Sequence, residues 1–177
     1  ALQFSSYVSG QVPDVAILEV PFTFPVDEKP MVEFHREVEP IVRGIYAGHK
    51  NQVIGSLPIL MADPISCRSK FLASPADWKG TLVRTAGRWQ AETVKLWGGS
   101  PVVFALGDLY AGLQRGTVDC TLLVYNLLEP FKLHEVATYI TRIDHSVNYG
   151  TINLNADVWK KLSPADLART RMRRCYR

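Results

Sequence analysis

Arg84, in the stretch TLVRTAG spanning residues 81–87, puts a permanently charged guanidinium at the end of a short β pattern, just before a glycine and a helical pattern. A planar fork of donors at that place matches a carboxylate with two parallel hydrogen bonds, so anion recognition is the chemistry it points to. The plain alternative is a surface ion pair, which contributes only about 0–1 kcal/mol. Tyr125 and Asn126 follow a strand pattern and open a helical one. There a phenol and an amide can hydrogen-bond a ligand hydroxyl or carboxylate, with a helix cap as the competing role for Asn126. Covalent chemistry would need Cys120 with His134 or His145, because a thiolate attacks beside an imidazole base. Cys120 stands at a buried-looking strand end and reads instead as a small packed residue. The histidines His35, His49, His134 and His145 are scattered, none paired with another ligand at helical spacing, so neither metal nor cofactor is expected.

The elements that must position these residues follow from hydrophobic periodicity. DVAILEVPF (14–22) reads as a buried strand stopped by Pro21. Residues 29–49 carry Met31, Phe34, Val38, Ile41, Val42 and Ile45 near helical spacing, and Pro40 should kink that helix. NQVIGSLPILM (51–61) returns to a strand, and SPADWKG (74–80) is a short helical turn ending at Gly80. Next come the strand TLVRT, a helix from Gln90 to Leu96 closed by Gly98 and Gly99, the strand PVVFA, the helix DLYAGLQRG, the strand TVDCT and a helical stretch through YNLLEPFKLHE. VATYITRI and TINLNADVW add strands, and SPADLART is a helix capped by Ser163 with Pro164 first. Such alternation predicts helices on a mostly parallel sheet. In sheets of this kind ligands sit beyond the carboxyl ends of the strands, which is where Arg84 lies. Trp89 and Trp97, near one face of a helix, read as core packing, as do Phe22 and Phe24.

The 177 residues are 47% hydrophobic and 21% charged, the composition of a globular domain that buries an ordinary core. No apolar run approaches the roughly 20 residues that cross a bilayer. The net charge is +3, yet RTRMRRCYR at the end holds five arginines, so the rest is slightly acidic and offers no broad basic face for nucleic acid. Cys67, Cys120 and Cys175 lie far apart with no CxxC pair, which suggests neither a zinc site nor a disulfide framework. The opening ALQFSSYVSG lacks the regions of a signal peptide, so for an exported protein the targeting segment would have been removed or never included. RMRRCYR loses the apolar spacing, and the end reads as truncated or abnormal.

GQVPDVAILEVPFTFP, SPADWKGTLVRTAG, WQAETVKLWGGSPVVFALGDLYAGLQRGTVDC and FKLHEVATYIT resemble, in this order and spacing, the solute-binding proteins of tripartite ATP-independent periplasmic (TRAP) transporters, from about residue 2 to residue 167. The resemblance implies an α/β, periplasmic-binding-protein-like two-lobed fold, here incomplete at both ends. Residues 1–80 would form part of a first lobe with a hinge crossing near its end, 81–145 a second lobe, and 146–177 a return segment and truncated helix. It implies a periplasmic protein without enzymatic activity that binds a small organic acid and partners the membrane components of the transporter. Arg84 would pair with the ligand's carboxylate, and Tyr7 lies in a segment that corresponds to a pocket-lining loop; its competing role is an ordinary half-buried tyrosine. Lys70 matches a second basic residue of the family, though Phe71 follows where proline is usual, and a solvated loop charge is its other reading. Leu123 stands where many members have a ligand-contacting asparagine, leaving Tyr125 or Asn126 to serve. That departure points to aliphatic or aromatic monocarboxylates and keto acids rather than sugar acids. The rival readings are a ligand-sensing effector domain, a hydrolase built on Cys120, and a fragment without function.

Overall fold

The computed structural model describes residues 1–25, 27–59, 64–145 and 148–170. In chain order the elements are β1 (Leu2–Phe4), α1 (Ser5–Val8), a 3-10 helix (Pro13–Glu19), α2 (Glu28–Gly48), β2 (Asn51–Ile59), β3 (Ile65–Cys67), α3 (Pro75–Trp78), β4 (Leu82–Thr85), α4 (Arg88–Leu96), β5 (Ser100–Val103), α5 (Leu109–Arg115), β6 (Cys120–Leu122), 3-10 turns at Tyr125–Leu127 and Leu133–Glu135, β7 (Tyr139–Thr141), β8 (Asn148–Asn155), α6 (Ala156–Trp159) and α7 (Pro164–Thr170).

The strands divide into two sheets. The first has the order β1-β8-β2, antiparallel throughout, and is covered by α2. Met31, Val42 and Tyr46 bury one stripe of that helix, and its helical hydrogen bonding continues past Pro40 to Gly48. Val42 and Tyr46 pack with Val12, Val15 and Leu18 on Val53 and Tyr149 of the sheet. The second sheet has the order β5-β4-β6-β3-β7. Its parallel pairs are β4 with β5 and with β6, joined through α4 and α5, because parallel neighbours need a crossover element. β3 runs antiparallel to both β6 and β7. The α/β class is therefore as expected, but one sheet is antiparallel and the other mixed rather than mostly parallel.

One face of the second sheet buries Ile65, Cys67, Val83, Cys120 and Leu122 against Val94 of α4 and Trp78 of α3. The other face meets a second apolar cluster of Leu109 and Leu113 from α5 with Leu123, Leu128 and Leu133, against which Val102 and Phe104 pack.

Three expectations are corrected. The run 14–22 is not a strand: Pro13–Glu19 forms a 3-10 helix with Pro13 in its first turn, where a missing N–H costs nothing. The stretch from Tyr125 to Glu135 is two separate 3-10 turns rather than a helix. Pro130 disfavours the helical conformation at Glu129, and Lys132 reverses the chain at φ 54°. Finally, Cys67 and Cys120 form a disulfide. They stand directly opposite across β3 and β6, with Cα atoms 4.0 Å apart, although 53 residues separate them in sequence. Among the other expectations, α3 carries a capping box between Ser74 and Asp77, and Ser163 accepts the Asp166 N–H at the start of α7. RMRRCYR (171–177) lies outside the described residues.

Candidate functional site

Side chains alternate across a strand, so Val83 and Arg84 of β4 point to opposite faces. Val83 enters the apolar cluster under α4, which leaves Arg84 on the face that carries Phe104 and α5. Its side chain is only 3% exposed. Nε donates to the carbonyl of Phe104, the residue just past the end of β5, at 3.2 Å. The guanidinium therefore reaches the carboxyl edge of the sheet. Nη1 is sealed from solvent and has no hydrogen-bond partner, and among the described residues no carboxylate pairs with Arg84. A buried charge without a counter-charge is costly. A planar anion with two oxygens is the group whose geometry a guanidinium fork matches.

The N-terminal segment faces the turn that follows Arg84. A Cβ placed on Gly87 would lie 3.3 Å from Ser6 Cβ and 3.4 Å from a carboxylate oxygen of Glu19. Two residues on, Trp89 Nε1 donates to the Ala16 carbonyl at 2.8 Å. Tyr7 is the neighbour of Ser6 in α1, 51% exposed, with its ring edge-on to Phe4. Tyr125 and Asn126 open the turn after β6, at the same edge of the sheet as the Arg84 guanidinium. Both are exposed, Tyr125 by 41%. Leu123 is buried in the cluster beneath α5.

Lys70 is brought to the opposite end. β3 runs against β4 and β6, so the chain leaving Cys67 emerges where β4 begins. There the exposed Lys70 ammonium donates to the Asp77 carbonyl, which also accepts the Thr81 hydroxyl at 2.9 Å. Arg68, at the same end, pairs with Asp119 at 3.4 Å.

A Cys120 nucleophile is removed by the disulfide, since its sulfur is bonded to that of Cys67. His145 is fully buried, with its ring edge-on to Phe22 and Trp97. Its Nε2 lies 2.9 Å from Thr93 Oγ1, whose own proton goes to the Trp89 carbonyl, so Nε2 is the donor. Burial pushes its pKa down to about 4. Among the described residues no group of three or more His, Cys, Asp or Glu side chains could hold a metal. An apolar concavity of about 220 Å³ lined by Leu72, Pro75, Trp78, Trp97 and Ile143 lies on the other face of the sheet from Arg84.

Two residues that sequence reasoning passed over, Thr121 and Ser66, occupy the same rung of the sheet as Arg84 and are fully buried. No local pattern marks them, because the rung exists only once β3, β4 and β6 are aligned.

Residues 2–170 match the family model described as bacterial extracellular solute-binding protein, family 7. The ectoine-binding periplasmic protein TeaA of Halomonas elongata is 25% identical over 168 residues, 93% of this chain and 49% of the relative. The 2,3-diketo-L-gulonate-binding periplasmic protein YiaO of Escherichia coli is 23% identical over 161 residues, 90% of this chain and 49% of the relative. A TRAP periplasmic solute-binding protein from Desulfovibrio salexigens, solved with bound orotic acid, superposes with a TM-score of 0.87 at 22% identity, covering 96% of this chain and 54% of that one. The chain thus spans about half the length of the curated relatives it matches, and no helix among the described residues is long and apolar enough to cross a membrane. By the match over nearly its whole length and by its two-sheet α/β fold, the chain belongs to family 7 of the bacterial extracellular solute-binding proteins, the solute-binding proteins of TRAP transporters.

Proposed function

We propose that this chain carries the anion-gripping part of a periplasmic TRAP solute-binding protein, which binds a small organic acid between its two lobes and presents it to the membrane components of the transporter, with no chemistry of its own. The observation that carries this reading is Arg84: a buried guanidinium at the carboxyl edge of the second sheet, anchored on the Phe104 carbonyl and lacking a carboxylate of its own. The ligand's carboxylate supplies the missing charge. The lobes would divide with the sheets, β1, β2 and β8 on one side and β3 to β7 on the other; the close approach of Gly87 to Ser6 and the hydrogen bond of Trp89 to the Ala16 carbonyl support a cleft between them. Tyr7, Tyr125 and Asn126 border that cleft, and Lys70 stays outside it. Two of the relatives are named for or solved with acids, 2,3-diketo-L-gulonate and orotic acid. The periplasmic location is supported by the Cys67–Cys120 disulfide, since such bonds persist in oxidising compartments.

The test is thermal melting of wild type and Arg84→Met with millimolar organic acids. A ligand at about 100 times its dissociation constant stabilises by about 2.7 kcal/mol, which raises the melting temperature of a chain of this size by about 5–10 °C. Arg84→Met should melt cooperatively, at or above the wild-type temperature because a buried unpaired charge is gone, and should lose every acid-induced shift. Equal shifts in the variant would sink the proposal.

A further inference from the structure

Trp89, Thr93 and Trp97 recur every fourth residue along α4 and its C-terminal cap, so they share one face of the helix. Each meets chain that lies outside the second sheet. Trp89 Nε1 donates to the Ala16 carbonyl at 2.8 Å. Ala16 is in the 3-10 helix Pro13–Glu19, whose Val15 and Leu18 pack with Val53 and Tyr149 of the first sheet. Thr93 Oγ1 is 2.9 Å from Nε2 of His145, a residue on the passage from β7 of the second sheet to β8 of the first. The Trp97 ring lies 6.2 Å from that of Phe22 and 5.9 Å from that of His145. From the close approach of Gly87 to Ser6 at the head of the helix to Trp97 at its foot, the seam runs about 15 Å.

Two residues at this seam hold strained backbones. Phe22 has φ 61° and Asp144 φ 44°, in the left-handed region that bulky side chains avoid. Such conformations persist where the surroundings over-determine them, and they gather at switch and clamp regions. Burial does not hold Phe22, which is 63% exposed. It is held by its N–H donating to the His145 carbonyl at 3.0 Å and by its ring set edge-on to the imidazole. Asp144 is fixed by Arg142, whose Nε donates to both carboxylate oxygens at 2.8 Å.

We propose that the Trp89–Thr93–Trp97 stripe of α4 is a lock between the lobes, with Phe22 as its strained catch. The lock holds the two units in one orientation before any ligand arrives, so the cleft beside Arg84 is preset and an acid enters it without a closing movement. This rests on the division into lobes proposed above, and not on Arg84 as the carboxylate anchor.

The test is the distance between spin labels on the full chain, placed by Glu37→Cys on the exposed side of α2 and Gln114→Cys on that of α5, with Cys175→Ser removing the remaining thiol. Without ligand, double electron–electron resonance should give one narrow distance, and millimolar orotate should leave it unchanged. Trp89→Phe keeps the ring and loses the donor; Phe22→Gly loses the ring and releases the strain. Together they should widen the distribution about twofold or more, or add a longer distance, while the melt stays cooperative. A ligand-free chain that is already broad, or that shortens with orotate, overturns the lock. So does a distribution as narrow as wild type in the double variant, or, should that variant fail to fold, in both single ones. Arg84→Met should keep the narrow distance. If orotate and the other acids bind wild type and Arg84→Met alike, the anchor fails while the distances still decide the lock.

Discussion

Opening the Cys67–Cys120 bond should destabilise the second sheet far more than its two sulfur atoms suggest. The bond closes a loop whose ends are 53 residues apart, and that loop contains β4, α4, β5 and α5. Releasing it returns loop-closure entropy to the unfolded chain, and for that length the cost is about 4 kcal/mol. For a protein of this size each kcal/mol lowers the melting temperature by about 2–4 °C, so the loss should be about 8–16 °C. The assay is a pair of calorimetric melts, oxidised and fully reduced, with the double variant Cys67→Ala/Cys120→Ala as a control that no reductant can alter. Mass spectrometry after alkylation under denaturing conditions should find Cys67 and Cys120 labelled only when reductant came first. A reduced protein that melts within about 2 °C of the oxidised one would refute the reasoning, and labelling of both cysteines without reductant would remove the bond itself.

Acid should weaken the fold through a buried histidine. His145 has its folded pKa at about 4, below the unfolded value of about 6.5, so the unfolded chain takes up a proton that the buried ring refuses. Through His145 stability is unaffected above about pH 6.5 and falls as pH drops toward 4, by up to about 3 kcal/mol; His145→Phe should reduce, without abolishing, the fall of urea midpoints across that window, because burial also lowers the His35 pKa. Gly112→Ala would place a Cβ 2.7 Å from the Phe104 ring. Overpacking of this kind costs about 1–3 kcal/mol, more than the roughly 1 kcal/mol gained in helix propensity, and because the Phe104 carbonyl holds Arg84 the variant should show both a lower denaturation midpoint and weaker acid-induced shifts.

What the sequence made legible is what local chemistry decides. The spacing of Met31, Phe34, Val38, Ile41, Val42 and Ile45 is enough to place α2, and Ser74 with Asp77 announces the start of α3. The strand that carries Arg84 was readable because β-branched and apolar residues run up to a glycine turn. Short apolar runs are where periodicity fails, and 14–22 was misread for that reason, although Pro13 at its start is a helix signal. Pairings between distant strands left no local mark. The antiparallel entry of β3 carries Lys70 away from Arg84, juxtaposes Cys67 with Cys120, and aligns Ser66 with Thr121. Each of these depends on register, which is a property of the assembled sheet and not of any one segment.

The disulfide and the polar row are two faces of one register. Ser66 precedes Cys67 on β3, and Thr121 follows Cys120 on β6. Because successive side chains alternate, a register that joins the sulfurs on the face under α4 must set the two hydroxyls side by side on the face that carries Arg84. A slip of one residue between β3 and β6 would part the sulfurs and drive a hydroxyl into the cluster of Ile65, Val83 and Leu122. Unpartnered donors weaken a strand pairing, and β3 and β6 are only three residues long, so the pairing that holds them in line has little of its own to resist a slip. A covalent bond at the neighbouring position supplies that resistance directly. The cysteines thereby do for this polar row what apolar packing does elsewhere in the sheet: they fix which side chains share a face with Arg84.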